Sequence, residues 1–384
     1  MIYFDQAASS FPKPPEVSEA MVNFMNNIGA NPGRGGHSPA REAAIIINKT
    51  REKAAELFGC SDPKKALFYS NATIALNQAI KGLTWQKGDH IIATSFEHNS
   101  IRRPLEFLKK KYGVEVSFIQ WNDDSDHFID AVRKEIRNET KLIAMTHASN
   151  VTGAILPIDQ IMKIAKSNNV LTLIDASQTA GYENIHMKEL GIDMLAFPGH
   201  KGLLGPQGTG MLLLEGEIDL SPLHHGGTGS FSEDPVQPDQ YPEKLESGTL
   251  NTPGIAGLYA ALLAYEHRKD ENVPRETMLT KKMLRELKTI PGVTCYGPDE
   301  KVYRMPIVAF NIDGVDSQEI ALVLDSHYNI AVRAGLHCSP LTHYTLKTKE
   351  QGIVRVSLGI YNTEKEIEVF LQAIKEIAAA YNEL

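Results

Sequence analysis

Cysteine is scarce: the 384-residue chain holds three, Cys60, Cys295 and Cys338. They are too few and too scattered for a disulfide framework, which points to a reducing compartment, the cytoplasm. Long apolar runs are missing as well. None approaches the ~20 residues that a membrane-spanning helix needs, so no membrane association is expected. There is no excess of basic residues either, since 39 Lys and Arg against 47 Asp and Glu leave a net charge of −8. That balance argues against binding nucleic acid or an anionic membrane surface. Met1-Ile-Tyr-Phe-Asp5 shows no basic n-region and no small-residue cleavage site, so no secretory signal is read there. Repeats and low-complexity tracts are also lacking. What remains is 42% hydrophobic and 22% charged, the composition of a globular enzyme with a sizeable core. The length suggests two or three domains.

After an irregular, Gly- and Pro-rich start with a short helix near 16–25, the pattern predicts a helix over 39–58. Short apolar runs then alternate with helical stretches. Strands are expected at 66–69, 90–94, 114–119, 141–146, 170–174, 192–197 and 210–214, with helices at 74–82, up to 112, and at 159–167. Such alternation indicates a doubly wound, parallel α/β sheet, whose sites lie beyond the carboxyl ends of the strands. A loop-like stretch over 221–255 leads to a helix over 255–267. A smaller α+β region follows, with helices at 274–290, 317–326 and 363–381 and strands near 293–296, 305–312, 330–333 and 353–358.

The residues with chemistry in them cluster at strand ends. Lys201 follows the apolar run 192–197 through Pro198-Gly199-His200 and enters a Gly-rich bend. A lysine delivered from a buried strand is partly desolvated, which favours the neutral amine needed for a Schiff base. The commonest protein-bound aldehyde is pyridoxal 5′-phosphate (PLP). The same position also suits a solvated strand end or a structural ion pair. Asp175 ends another strand and could pair with a pyridine nitrogen, or cap the next helix. Ser70-Asn71-Ala72-Thr73 opens a helix, where free N–H groups bind phosphate or are simply capped. His98 could stack on a planar ring, and Gln178 could contact a ring substituent. Cys338 follows His337 and lies near Arg333, neighbours that could favour its thiolate. Arg355 could clamp a carboxylate or serve a structural ion pair. The spacing of His337, Cys338 and His343 matches no common zinc pattern, so no metal is expected.

Taken in order, Asp5-Gln-Ala-Ala-Ser, Gly35-Gly-His37, Asn71-Ala-Thr73, Glu97-His98, Ser149-Asn-Val-Thr-Gly153, Asp175-Ala-Ser-Gln178, Gly199-His-Lys201, Gly248-Thr249, the run from Arg333 to Cys338, and Arg355 resemble the cysteine desulfurases. These belong to the class V aminotransferase branch of fold-type-I PLP enzymes. The short interval from Cys338 to Arg355 resembles the group II desulfurases and the selenocysteine lyases.

The resemblance implies a large PLP-binding domain with a doubly wound, mostly parallel sheet over 21–260. It adds a small α+β C-terminal domain over 261–384 carrying the Cys338 loop, and an N-terminal segment over 1–20 packed against the active site. It implies PLP on Lys201, with Asp175 at the pyridine nitrogen, His98 on the ring and Gln178 on its hydroxyl side. Ala72, Thr73 and His200 lie at the phosphate, with Thr249 from the other subunit of a homodimer. Asn150, Arg355, His37 and Arg333 surround the amino-acid substrate, and Cys338 attacks its sulfur. The implied reaction converts cysteine to alanine, leaving a persulfide for a sulfur-acceptor protein. The alternatives are a selenocysteine lyase or another class V lyase or aminotransferase that makes no use of Cys338. Ala72 and Pro198 stand where relatives carry hydroxyl residues, and Leu336 stands where group II enzymes carry His. These departures imply a phosphate site short of two hydroxyl donors and an altered route for sulfur release.

Overall fold

The computed structural model describes residues 1–32 and 35–382. The chain opens with β1 (Ile2–Tyr3), α1 (Pro15–Asn23) and α2 (Ser38–Phe58). It then alternates: β2 (Ala66–Tyr69), α3 (Ala72–Gly82), β3 (His90–Thr94), α4 (Asn99–Tyr112), β4 (Glu115–Ile119), α5 (Ser125–Glu135), β5 (Thr140–Thr146), α6 (Ile158–Ser167), β6 (Leu171–Asp175), α7 (Met187–Leu190), β7 (Met194–Pro198) and β8 (Gly210–Leu214). The helix α8 (Thr252–Leu287) leads to β9 (Val293–Tyr296), β10 (Ile307–Ile312), α9 (Ser317–Tyr328), β11 (Ile330–Ala331), β12 (Arg333–Gly335), α10 (Pro340–Leu346), β13 (Ile353–Ser357) and α11 (Glu364–Asn382).

Seven strands form one sheet in the order β2-β8-β7-β6-β5-β3-β4. All pairings are parallel except those of β8, which runs antiparallel to both β2 and β7. This is the α/β architecture read from the sequence. The inner strands β3, β6 and β7 are nearly continuous apolar runs because helices cover both faces, and the two cores on those faces are separate. A second sheet, β12-β13-β10-β9, is antiparallel and builds its own core with α8, α9 and α11.

Two helices expected at 255–267 and 274–290 are one, α8, with Pro274 inside it. The proline and the charge-rich stretch around it break the apolar period, but the backbone passes through. Ile255, Leu258 and Leu262 pack on the large sheet's core, while Leu279, Met283, Leu284 and Leu287 pack on the small sheet's core. The boundary drawn at residues 260/261 therefore falls inside a helix that serves both cores. The sequence reading passed over α5 and α10, where polar residues mask the helical period.

The N-terminal segment ties the two sheets together. β1 pairs with β11, Asp5 bridges to Ser357, and the Ala7 N–H donates to Ser357 Oγ at 2.8 Å. On the other side, Gln178 Nε2 donates to the Ala7 carbonyl at 3.3 Å, and Ser10 N–H donates to the His200 carbonyl at 2.9 Å.

Candidate active site

The parallel strands end on one edge, where one cavity is lined by Ala72, Thr73, His98, Asn150, Asp175, Gln178, His200 and Lys201. Eight of the residues read from the sequence thus meet in one place.

Lys201 sits in the turn after β7, and this turn is pressed from behind. A Cβ on Gly202 would lie 2.5 Å from the Ala180 carbonyl oxygen and 2.6 Å from the Tyr182 ring, so only glycine lets the backbones approach this closely. Lys13 Nζ joins Ser10 N–H in donating to the His200 carbonyl, at 2.9 Å. Burial pulls the Lys201 ammonium down to about 8. Asp175 and Asp5 oppose that shift, whereas Arg355 and Arg333 reinforce it.

Asp175 ends β6 between its neighbours β5 and β7, is 3% exposed, and takes the Ser177 N–H at 2.9 Å. His98 caps α4: its Nδ1 accepts the Ser100 N–H at 3.1 Å, so in the neutral ring the proton is on Nε2. Burial lowers its pKa to about 4, assisted by the Lys201 and Arg333 cations and opposed by Asp175. Behind His98, buried Glu97 accepts from the Thr94 hydroxyl at 2.6 Å and the Thr146 N–H at 3.0 Å, linking the ends of β3 and β5. Burial raises its pKa to about 8.

Asn71 caps α3, its Oδ1 accepting from the Ile74 N–H at 3.0 Å. Ala72 and Thr73 head that helix, where backbone N–H groups have no intrahelical acceptor. Thr73 Oγ1 and Ser100 Oγ are 2.8 Å apart. Among the described residues the buried His200 Nδ1 has no hydrogen-bond partner, and burial holds that ring neutral, with a pKa of about 4.

The small sheet contributes two arginines. Arg333 on β12 and Arg355 on β13 lie directly opposite each other, an unfavourable juxtaposition of like charges that an anion relieves. Part of that relief is internal. Arg355, 1% exposed, donates through Nη2 to Asp5 Oδ1 at 2.7 Å and through Nη1 to the Asn150 carbonyl at 2.8 Å.

Cys338 is exposed on the turn after β12, outside the cavity lining. His337 does not assist it in the way adjacency suggested. The His337 ring is buried, donates Nε2–H to the Ile353 carbonyl at 2.9 Å, and has its pKa held well below the ordinary value by burial and by Arg355. It stacks on His343 with ring centroids 6.0 Å apart. Among the described residues no three His, Cys, Asp or Glu side chains gather in a metal-holding arrangement.

His37 and Thr249 do not reach this cavity within one chain. His37 is exposed and caps α2, its Nδ1 accepting from the Ala40 N–H at 3.3 Å. Its neighbour Arg34 lies outside the described residues. Thr249 lines a second cavity, shared with Asn31 and Pro32 of the same loop that carries His37. Sequence reasoning assigned no role to Asp5, Glu97, Ser100, Ser177 or Thr146. The first two stand inside the quoted Asp5-Gln-Ala-Ala-Ser and Glu97-His98 motifs, which was the available signal.

The aminotransferase class-V family matches residues 2–370. A probable cysteine desulfurase from Methanothermobacter thermautotrophicus is 34% identical over 98% of this chain and 94% of its own length. The apo structure of a cysteine desulfurase from Thermococcus onnurineus NA1 has a TM-score of 0.92 at 32% identity, covering 99% of this chain and 95% of that one. The cysteine desulfurase CsdA from Escherichia coli gives 0.86 at 27% identity, covering 99% and 94%. Among the described residues no helix is long and apolar enough to cross a membrane. With sequence and fold both matched along nearly its whole length, the chain belongs to the aminotransferase class-V family, in the branch that holds the cysteine desulfurases.

Proposed function

We propose that this protein is a PLP-dependent cysteine desulfurase of the group II type, converting L-cysteine to L-alanine and leaving the sulfur on Cys338. One observation carries the reading: Asn150 lines the Lys201 cavity and is hydrogen-bonded to both residues flanking Cys338, which supports a common site for the two reactive groups. The relatives carry the desulfurase name, which supports cysteine over selenocysteine as substrate.

The residues present suit PLP. The unpartnered His200 Nδ1 and the free amides heading α3 suit a phosphate, the Asp175 carboxylate a protonated ring nitrogen, and the Lys201 amine an aldehyde. Thr73 would join the phosphate site, as would Thr249 from a second copy of the chain. Ser100, bonded to both Thr73 and His98, adds a hydroxyl where Ala72 and Pro198 offer none. Gln178 and His98 would hold the ring. When bound, PLP supplies an electron sink that loosens the bonds of the substrate α-carbon.

Lys201, with its pKa lowered to about 8, moves the α-proton near neutral pH. Arg355 and Arg333 take the substrate carboxylate, with Asn150 beside them. The Cys338 thiolate attacks the substrate sulfur. A sulfur–sulfur bond forms, the carbon–sulfur bond breaks, and its electron pair goes to the β-carbon, which gains a proton to become the methyl group of alanine. In this reading residues 21–260 hold the cofactor, 261–384 hold the thiol, and 1–20 strap the two together. His37, on the Thr249 side, would enter the site from the partner subunit. Thiolate chemistry in the cytoplasm, with transfer to an acceptor protein, completes the reading.

The test is direct. Purified protein supplied with PLP and L-cysteine, without reductant, should release alanine and carry one added sulfur on the Cys338 peptide by mass spectrometry. Alanine formed with no sulfur on Cys338 would overturn the proposal.

A further inference from the structure

Cys338 occupies an improbable backbone. His337 has φ +48° and Cys338 φ +57°, two successive non-glycine residues in the left-handed region. Side chains rarely adopt that region, and such residues persist only where their surroundings hold them there. Here the holders are identifiable. The Cys338 carbonyl accepts the Asn99 N–H at 2.7 Å, and the Ser339 N–H donates to the Leu336 carbonyl at 2.9 Å. His337 is anchored to Ile353 through its ring.

The remaining holder is a clip across the tip of the turn. Asn150 Nδ2 donates to the His337 carbonyl at 2.8 Å, and Ser339 Oγ donates to Asn150 Oδ1 at 2.7 Å. The amide orientation is fixed, because the His337 carbonyl can only accept and so must face the NH2 end. The residue on each side of the thiol is therefore bonded to the same amide, and both, His337 and Ser339, are buried while Cys338 between them is exposed. One amide hydrogen and one lone pair of Asn150 remain for a ligand in the cavity that it lines.

Resting on the desulfurase reading, we infer that Ser339 is a positioning residue: through the Asn150 amide it aims the Cys338 thiol at the substrate sulfur. Ser339 touches neither the cavity nor the reacting atoms. It acts by completing the clip that keeps the turn in its left-handed conformation and in register with the group that faces the substrate. Without its hydroxyl, Asn150 Oδ1 loses its donor and the turn keeps one tether instead of two on that side.

The experiment compares PLP-loaded wild type, Ser339→Ala and Cys338→Ala. Two rates are measured for each: alanine release from L-cysteine, and exchange of the α-proton of L-alanine with deuterated solvent, which needs Lys201 but no thiol. Ser339→Ala is expected to lose about tenfold to a hundredfold in kcat for alanine release, as misaimed reactants do, with KM changed by less than about threefold. Its α-proton exchange should stay within about twofold of wild type, because Asn150 keeps its bond to the His337 carbonyl and no contact of Lys201 or Asp175 is removed. Iodoacetamide labelling of Cys338, followed by mass spectrometry, should change in rate in the same variant as the turn relaxes. If Ser339→Ala releases alanine at the wild-type rate, or loses exchange and release equally, Ser339 has no positioning role. If instead Cys338→Ala retains full alanine release, the desulfurase reading itself fails, whatever Ser339 does.

Discussion

The two halves of this site are held by different means. The Lys201 end is buttressed: strand ends from a seven-stranded sheet converge on it, and the backbone of residues 180–182 presses against Gly202 from behind. The Cys338 end is clipped: a turn that exposes the thiol is kept in an unfavourable conformation by a few backbone and side-chain hydrogen bonds. Buttressing suits a group that must stay desolvated to lose its proton near pH 8 and not at the ordinary lysine value. Clipping suits a group that meets the substrate and afterwards presents its sulfur to solvent. The difference implies that proton movement at the α-carbon and attack at sulfur are separable by mutation.

The largest effect that sharpens this contrast is expected from Lys201→Ala. Both α-proton exchange and alanine release should fall by about a thousandfold or more, since the amine serves both. Persistence of either, followed by NMR of the α-proton and of alanine, would break the assignment.

Arg355→Lys comes next. The buried fork joins Asp5 to the Asn150 carbonyl, and a single ammonium cannot make both contacts with the same geometry. KM for cysteine should rise about tenfold to a hundredfold, with a smaller change in kcat. An unchanged KM would remove Arg355 from the carboxylate site.

A third effect depends on pH. Burial gives Lys201 a pKa of about 8 in the folded chain, below the ordinary lysine value of 10.5. Between those values the unfolded chain holds a proton that the folded chain has lost, so this group's contribution to stability rises with pH over that window. Below about 8 the buried ammonium is a standing cost to the fold. The neutral fraction grows about tenfold from pH 7 to pH 9, and the rate of PLP loading onto stripped protein should follow it. A flat rate by absorbance would show that the amine is not the titrating group.

The smallest effects compare the two ends as scaffolds. Gly202→Ala forces a methyl against Ala180 and Tyr182 and should destabilise the fold by about 1–3 kcal/mol, read from chemical denaturation. Leu336→Ala on the clipped turn, where the side chain is 40% exposed, should change it by about 0.5 kcal/mol or less. Equal effects would mean that the ends are not built differently.

The buttressed end was legible in the sequence because its information is local. Lys201 and Asp175 each terminate an apolar run, and Asn71 announces a helix start. The clipped end was legible in its residues, Cys338, Arg333 and Arg355, but not in its arrangement, because the determinants of that arrangement are distant or conformational. Asp5 and Arg355 are 350 positions apart, as Asn150 and Ser339 are 189 apart. His337 misled for a related reason: it adjoins Cys338 in sequence, but the left-handed turn sends one side chain into the core and the other to solvent. The single helix α8 was read as two because Pro274 and its charged neighbours hide the period that the core contacts on either side restore.

The central claim is that Lys201 works without the thiol but desulfuration does not. The most direct measurement is α-proton exchange and alanine release on one preparation of PLP-loaded Cys338→Ala given L-cysteine in deuterated buffer. Alanine tolerates the φ of +57° at that position no worse than cysteine does, so the fold should be unchanged. Deuterium should enter the cysteine α-position at close to the wild-type rate while alanine release all but disappears. If both activities survive, or both are lost together, the two ends are not separable and the mechanism proposed here is wrong.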